Sequence, residues 1–151
     1  MTRPILQVPD QWLSRPCRKV DIESEAKLIN EVCDDLWAAL RAGHLGLAAP
    51  QIGHGVRIVL VRLPHPTFLI NPELTPDARV PKELGLERCL SVNAAESMWE
   101  VPRWQRVSLT FMPRGGTKPK TRTLIGKQAV LVQHEVDHLF GLTIDRTGVK
   151  S

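Results

Sequence analysis

The most informative stretch of this chain is residues 133–139, which read Gln-His-Glu-Val-Asp-His-Leu. On a helix, residues four apart lie about 40° apart around the axis, so His134 and His138 can hold one metal ion together. Glu135 lies about 100° round from His134, beside the metal, where a bound water would sit. The spacing therefore predicts a metal-binding helix with Glu135 beside the position of a metal-bound water. The alternative interpretation is a helix with two incidental surface histidines.

The composition is typical of a soluble globular protein. With 151 residues, of which 42% are hydrophobic, the chain is long enough for one cored domain, and we expect a single domain over residues 1–151. No apolar run reaches transmembrane length and the start has no secretory signal, so we expect no membrane association. Three cysteines make no disulfide framework and favour a reducing cytoplasm. We expect a monomer.

The net charge of +4 is most simply a solvated surface with a slight excess of Lys and Arg. An acidic or RNA-rich partner is the alternative, and nothing in the sequence indicates DNA binding. The same choice applies to the basic segment 118–122, which is either a solvated hairpin edge or an RNA contact.

Two segments have helical periodicity. Residues 22–42 carry one apolar stripe, which predicts an amphipathic helix on the outside of the fold. Residues 126–140 are apolar nearly all round, which predicts a central, buried helix. On that helix, Val130 and Leu131 flank the histidines, so the metal face is expected to border an apolar pocket.

Short β-strands and one loop are predicted between the two helices, and an irregular arm is predicted before them. The predicted strands are residues 56–61, 68–70, 90–92, 99–101, 106–112 and 118–123. Residues 73–86 are polar with two prolines and predict a loop, and the Pro-punctuated residues 1–20 predict a loosely packed arm. The predicted fold class is α+β, with short antiparallel strands packed around a central metal-binding helix and one N-terminal helix on the outside.

A catalytic metal site needs a third protein ligand and an open position. The candidates are Cys89, His44, His54, His65 and scattered carboxylates. A metal and the neighbouring Arg88 would both favour a Cys89 thiolate, but a free cysteine is more often a small buried hydrophobe. Spacing alone therefore leaves the third ligand open.

Three segments together resemble the peptide deformylase family. That family carries Gly-x-Gly-Leu-Ala-Ala-Pro-Gln, Glu-Gly-Cys-Leu-Ser and Gln-His-Glu-x-Asp-His, in this order. Here residues 44–51 read His-Leu-Gly-Leu-Ala-Ala-Pro-Gln, residues 87–91 read Glu-Arg-Cys-Leu-Ser, and residues 133–138 complete the set. The resemblance covers residues 20–146.

The resemblance implies a metal-dependent hydrolase that removes the N-formyl group from the initiator formyl-methionine of nascent polypeptides and releases formate. It implies that Cys89, His134 and His138 bind one divalent metal, usually Fe²⁺ in this family, although the ligand set also suits Zn²⁺, Ni²⁺ or Co²⁺. The alternatives are a metallopeptidase, which shares the helix motif, and a non-catalytic relative that binds formylated nascent chains.

The resemblance also implies roles around the metal. Glu135 would take a proton from the attacking water and return it to the leaving amine. The Gln51 carboxamide and the Leu90 backbone N–H match the family's donors to the developing oxyanion. Gln133 and Asp137 would orient ligands, although Asp137 is equally explained as a salt-bridge partner on its helix.

For the substrate, the resemblance implies an apolar pocket for the methionine side chain. Leu45, Val130 and Leu131 are the expected walls, and Gly46 would hydrogen-bond the peptide through its backbone. Arg103 matches a family position near the substrate, but a surface ion pair with Glu87 explains it as well.

The chain departs from the family pattern at two glycines, which are His44 and Arg88 here. Arg88 would project outward, contact the substrate or block the site, and Lys127 is expected at the pocket mouth. The chain ends before the C-terminal helix that bacterial members use to dock on the ribosome, so we expect proximity to the ribosome without that contact. A short form from a phage or an unusual bacterium, acting in the bacterial cytoplasm, fits these features.

Overall fold

The computed structural model describes residues 2–151. The α-helices of this part are α1 (Ala26–Ala39), α2 (Gly126–Leu139) and α3 (Ile144–Thr147). The strands are β1 (Gly46–Ala48), β2 (Ile58–Arg62), β3 (Pro66–Pro76), β4 (Glu83–Glu87), β5 (Trp99–Arg103), β6 (Arg106–Met112), β7 (Lys120–Ile125) and β8 (Val149–Lys150).

All strand pairs are antiparallel and form two sheets. The larger sheet has the order β1-β2-β3-β6-β7, and the smaller has the order β4-β5-β8. The predicted α+β class with antiparallel strands is therefore confirmed. Because β1 and β4 are end strands, each presents one edge that pairs with no other strand of residues 2–151.

Strand β2 explains how the larger sheet carries a helix on each face. Its side chains alternate, so Ile58 and Leu60 join the core under α1, while Val59 and Val61 join the core under α2. A strand buried on both faces reads as a continuous apolar, β-branched run, which is why the sequence predicted it well. Helix α1 thus covers one face of the larger sheet, and α2 covers the other.

Helix α1 is shorter than the predicted 22–42. The carboxylate of Asp21 accepts hydrogen bonds from the N–H groups of Glu23 and Ser24 at 3.0 and 2.9 Å, which holds this segment in a turn. The helix therefore begins at Ala26.

Helix α2 confirms the predicted central helix, with polar groups buried along it. Ala129, Val132 and Leu139 pack into the sheet core, and Glu135 and His138 are buried on another side. Phe140, the last residue of the predicted helix, lies just past α2 and is 47% exposed. The guanidinium of Arg57 covers its ring at 4.8 Å from the centroid.

Two local predictions between the helices are wrong. Residues 73–86 are not one loop, because β3 runs on to Pro76 and β4 begins at Glu83. Strand β4 is an edge strand with exposed side chains, so it lacks the apolar alternation that marks a half-buried strand. Residues 90–92 form a turn, closed by the Val92 N–H donating to the Cys89 carbonyl at 3.0 Å.

The N-terminal arm is packed more tightly than predicted. Leu13, Cys17 and Val20 are all buried, and the Cys17 N–H donates to the carbonyl of Leu139 at 2.8 Å. The predicted arm also includes Met1, which lies outside the described residues. Within residues 2–151, no helix has the length and apolar composition needed to cross a bilayer.

Asn71 holds part of this arm and offers a test of how firmly it is docked. Its side chain donates to the Val20 carbonyl at 2.8 Å and accepts the Val20 N–H at 3.0 Å, while its own φ is 50°. Asn71→Gly keeps the backbone conformation and removes both hydrogen bonds. We expect it to lower the free energy of unfolding by about 1–3 kcal/mol in urea denaturation.

The matched control is Asn93→Gly, at an exposed asparagine with the similar φ of 51°. We expect that change to stay within about 0.5 kcal/mol of the parent protein. Equal losses in the two variants would contradict the assigned role of Asn71.

Candidate metal centre and cleft

One cluster of potential metal ligands lies at the junction of α2 and the turn after β4. The donor atoms of Cys89, His134 and His138 all lie within 4.8 Å of one another. The Cys89 Sγ is 3.5 Å from the Nε2 of His138, and both side chains are buried. In the part of the chain that the structure describes, no other group of three His, Cys, Asp or Glu side chains meets this distance.

The other histidines that were candidates lie outside this cluster. His54 pairs with the carboxylate of Asp35 at 2.8 Å. His44 lines the nearby cleft but contributes no atom to the group, and neither does His65. Cys89 is therefore the residue that the fold brings to the two helix histidines.

The ring of His134 is oriented by a buried carboxylate. Its Nδ1 is 2.7 Å from the Oε1 of Glu87, so its Nε2 is left to face the cluster. Glu87 in turn receives two hydrogen bonds from the guanidinium of Arg103, at 2.8 and 2.9 Å. The remaining Arg103 nitrogen donates to Asp137 at 2.5 Å.

This chain of four residues corrects two predictions. The ion pair between Arg103 and Glu87 is not on the surface, because their side chains are only 6% and 8% exposed. Asp137 pairs with Arg103 from another element rather than with a residue of its own helix. The Gln133 side chain hydrogen-bonds the backbone of Trp104 and Ala129 and neither histidine ring, so it anchors the helix instead of orienting a ligand.

The charge states of these four linked side chains follow from their burial and their pairing. Burial opposes ionisation of Glu87, but its bonds with His134 and Arg103 outweigh burial and lower its pKa. Burial also opposes charge on His134, yet its hydrogen bonds with Cys89 and Glu87 raise its pKa to about 10. Cys89 and Glu87 therefore both favour a positive charge at the His134 ring.

His138 and Glu135 experience burial without this compensation. Burial, together with the positive charges of His134 and Arg103, lowers the pKa of His138 well below its usual value, so the ring is neutral and its lone pair is available. Burial raises the pKa of Glu135 to about 7. Its Oε1 has no hydrogen-bond partner within residues 2–151 and lies 4.0 Å from the His138 Nε2.

Gly46 lets β1 pass directly over Glu135. A Cβ at this position would lie 2.3 Å from the Glu135 Oε2, closer than any real contact allows. The Arg62 N–H donates to the Leu45 carbonyl, and Gly46 faces Val61 in the ladder. In this alternating pattern, the N–H and C=O of Gly46 point away from β2, toward the open edge of the sheet.

The carboxamide of Gln51 is fixed beside Cys89. Its oxygen accepts the Ala48 N–H at 2.9 Å, and its nitrogen lies 3.0 Å from the Ser91 Oγ and 3.7 Å from the Cys89 Sγ. Glu87 and Ser91 were missed as site residues from sequence. Both stand inside the segment 87–91 that carried the resemblance, two positions before and after the cysteine, and this placement is the only signal that could have revealed them.

A cleft of about 790 Å³ opens onto the cluster between the edges of β1 and β4. It brings together every residue predicted to contact the substrate: Leu45, Gly46, Arg103, Val130 and Leu131. Leu90 and Gln51 line it too, and Leu84 and Leu86 of β4 add apolar surface that the sequence had not indicated.

The comparisons with known proteins agree with this geometry. The family described as "Polypeptide deformylase" matches residues 2–150. The chain belongs to this family. Deformylase activity, the removal of the formyl group from N-formyl-methionyl peptides, is the function that this membership supports.

Individual deformylases match nearly the whole chain. The protein "Peptide deformylase 1" of Nitrosomonas europaea is 35% identical over 155 residues, which cover 94% of this chain and 85% of the relative. A probable peptide deformylase from Synechococcus phage S-SSM7 is 31% identical with a TM-score of 0.78, covering 97% of this chain and 99% of that chain. A class I type b peptide deformylase from Acinetobacter baumannii, solved with Met-Ala-Ser bound, is 25% identical with a TM-score of 0.83, covering 97% and 98%.

Both residues that replace family glycines lie at the rim of the deformylase cleft. Arg88 is exposed, and its Nε contacts the Met98 Sδ at 2.7 Å, so its side chain leads outward from the metal cluster. His44 is half-buried, and its carbonyl accepts a hydrogen bond from the Arg62 Nε at 3.1 Å. Lys127 is exposed at the mouth, as predicted.

The contact between Gly46 and Glu135 leads to a direct test. In Gly46→Ala the added methyl group must displace the Glu135 carboxylate, since the two cannot share the space. We expect formate release to fall by about 100-fold or more, because small misplacements of a reacting group have large kinetic effects.

Gly85→Ala is the matched control for Gly46→Ala. Gly85 also lines the cleft on an edge strand, but a Cβ there would meet no atom within 4 Å. We expect near-parental formate release from this variant. Equal activity of the two variants would contradict the packing argument.

Proposed function

We propose that Cys89, His134 and His138 hold one divalent metal ion at the base of the cleft, and that the cleft hydrolyses the formyl group of formyl-methionyl peptides. One thiolate and two imidazoles leave an open coordination position, as catalytic sites require. The clustered donor atoms support this, as do the neutral ring of His138 and the buried Glu87 behind His134.

The ion that we propose is Fe²⁺, on the strength of the family resemblance, although Zn²⁺, Ni²⁺ and Co²⁺ suit the same donors. When bound, the ion supplies Lewis acidity, which polarises a carbonyl and makes a water more acidic. Metal analysis of protein purified without oxygen tests the assignment, because a ferrous thiolate site is open to oxidation.

Glu135 is the general base in this proposal. Its pKa of about 7 suits a group that accepts a proton and returns it to the leaving amine near neutral pH. Its unpartnered Oε1 lies on the side of His138, next to the proposed metal position.

Two donors then face the oxygen that becomes negatively charged during attack. Because Ala48 holds the carboxamide oxygen of Gln51, the nitrogen of the same group is directed toward Cys89. The second donor is the Leu90 N–H, which donates no hydrogen bond to any group of residues 2–151. Fixed donors of this kind stabilise a developing oxyanion.

The substrate proposal places the methionine side chain among Leu45, Val130 and Leu131, and pairs the peptide backbone with the open edge at Gly46. The relative from Acinetobacter baumannii was solved with Met-Ala-Ser bound, so a related deformylase binds a peptide that begins with methionine. All of the Arg103 guanidinium nitrogens already bond carboxylates, so we propose that Arg103 acts through Glu87 and His134.

We also propose that the protein is a monomer with a single catalytic domain. In this proposal its substrates are nascent polypeptides in the bacterial cytoplasm. The two cores on either side of one shared sheet support the single domain.

The observation that carries this function is the meeting of three donor atoms and a buried, unpartnered carboxylate in one cleft. We expect the metal-loaded protein to release formate from formyl-Met-Ala-Ser and to leave unformylated Met-Ala-Ser intact. Cleavage of the unformylated peptide without formate would indicate a metallopeptidase. Binding of the formylated peptide without turnover would indicate a non-catalytic relative.

Glu135→Gln and Cys89→Ser separate the base from the ligand. In both variants the rate of formate release should fall by about 100-fold or more, since one lacks the proposed general base and the other a proposed metal ligand. Only Cys89→Ser should also lose bound metal, as measured by elemental analysis. Full activity in both variants would refute the proposed roles.

Glu87→Gln tests the carboxylate behind His134. Removing its charge should weaken metal binding by about 10–100-fold in a chelator competition, because such partners orient the ligand and raise its basicity. Glu83→Gln is the control, since Glu83 also lines the cleft but is exposed and forms no ion pair within residues 2–151. Equal metal affinity in the two variants would argue against the role of Glu87.

A further inference from the structure

The N-terminal segment Arg3–Val8 crosses behind both loops that carry the proposed oxyanion donors. The Leu6 N–H donates to the Gln51 carbonyl at 2.7 Å, and the Val8 N–H donates to the Ser91 carbonyl at 2.8 Å. Arg3 adds a hydrogen bond to the Ile52 carbonyl at 3.1 Å. The segment is thus bonded to the short 3-10 helix Ala49–Ile52 on one side and to the turn 89–92 on the other.

Few hydrogen bonds link these two segments directly. Among residues 2–151 no backbone hydrogen bond joins them, and the side-chain hydrogen bonds between them come from Gln51, to Ser91 and Cys89. Leu90 also packs against the core cluster that contains Ala49 and Ile52. The distance between the two donors therefore depends on the segment that is bonded to both.

Within this segment, the Gln7 side chain hydrogen-bonds one residue of the turn 89–92 and one residue just after it. Its Nε2 donates to the Leu90 carbonyl at 2.5 Å, and its Oε1 accepts the Ala94 N–H at 2.9 Å. One carboxamide thus supplies a donor and an acceptor to backbone groups four residues apart. Since Gln7 itself is exposed, these contacts are not a by-product of core packing.

The backbone that Gln7 contacts is strained. Asn93, Ala94 and Ala95 have φ values of 51°, 50° and 66°, a left-handed conformation that residues with a side chain rarely adopt. Three such residues in a row persist only where the surroundings hold them. The hydrogen bond from Ala94 to Gln7 is one of these restraints, and Leu90, the other partner of Gln7, lies four residues earlier in the turn 89–92.

We propose that Gln7 is a positioning residue of the deformylase reaction. By holding the Leu90 carbonyl it restrains the backbone of Leu90, so that the N–H of the same residue, in the preceding peptide unit, faces the developing oxyanion. The inference rests on the proposed function, in which Leu90 supplies that N–H. Gln7 faces a separate cavity, lined also by Val8, Asn93 and Met98, and is absent from the lining of the catalytic cleft. It therefore acts through Leu90 and does not contact the peptide.

This placement predicts a selective kinetic effect. An oxyanion donor acts on the transition state, so its displacement lowers kcat while substrate binding is retained. Removal of a whole donor costs about 100-fold or more, and a displaced donor less. For Gln7→Ala we expect kcat to fall about tenfold, with KM within about twofold of the parent value.

The experiment compares Gln7→Ala, Gln7→Glu and Gln11→Ala in the full-length, metal-loaded protein, with formyl-Met-Ala-Ser as substrate. Gln7→Glu retains an acceptor for the Ala94 N–H but has no hydrogen to donate to the Leu90 carbonyl, so its kcat should fall as in Gln7→Ala. Gln11→Ala removes an equally exposed carboxamide that contacts only Arg15 through its side chain, and should match the parent protein.

Metal content and Tm are measured on the same samples and should be unchanged in all three variants. Parental kcat in Gln7→Ala or in Gln7→Glu would overturn the inference. So would a fall in kcat accompanied by an equal loss of metal or by a lowered Tm, because that pattern belongs to a structural role. A parent protein that releases no formate would instead overturn the proposed function itself.

Discussion

The series of ion pairs from the half-buried Asp137 through the buried Arg103 and Glu87 to His134 is the interaction on which the rest of the site depends. It joins three elements, because Arg103 lies on β5, Glu87 ends β4, and the other two residues lie on α2. Buried charges are tolerated only when each is paired and hydrogen-bonded, and removal of one partner leaves the others without compensation. The small sheet is thereby held against the helix at one separation, and the imidazole of His134 is held at one angle.

The remaining site groups are held by backbone contacts rather than by charge. Gly46 allows β1 to lie on the Glu135 side chain, and Ala48 orients Gln51 through its N–H. Gly46 and Ala48 both belong to β1, so the rigidity of the larger sheet is passed to the cleft. The N-terminal segment extends the same arrangement to the turn that follows Cys89, where the backbone is least regular.

Sequence reasoning was most accurate where one periodicity dominates. The α2 helix, β2 and the strand 106–112 were predicted closely, because burial on one or more faces imposes a repeat that the sequence displays. It failed at β4, whose side chains are largely exposed, and at residues 90–92, whose Leu90 and Val92 suggest a strand but pack into the core from a turn. The arm was misjudged because burial of Cys17 and Leu13 depends on contacts with distant elements.

The sequence by itself determined the helix that presents His134, Glu135 and His138, since their geometry relative to one another follows from helical spacing alone. It determined Cys89 and Gln51 only through the resemblance, because residues 40 or more positions apart have no local rule that brings them together. Tertiary structure alone decided that Glu87 orients His134, that Gly46 lies against Glu135, and that Gln7 bonds the turn after Cys89. These are contacts between separate elements, and their distances are set by how the two sheets and α2 pack.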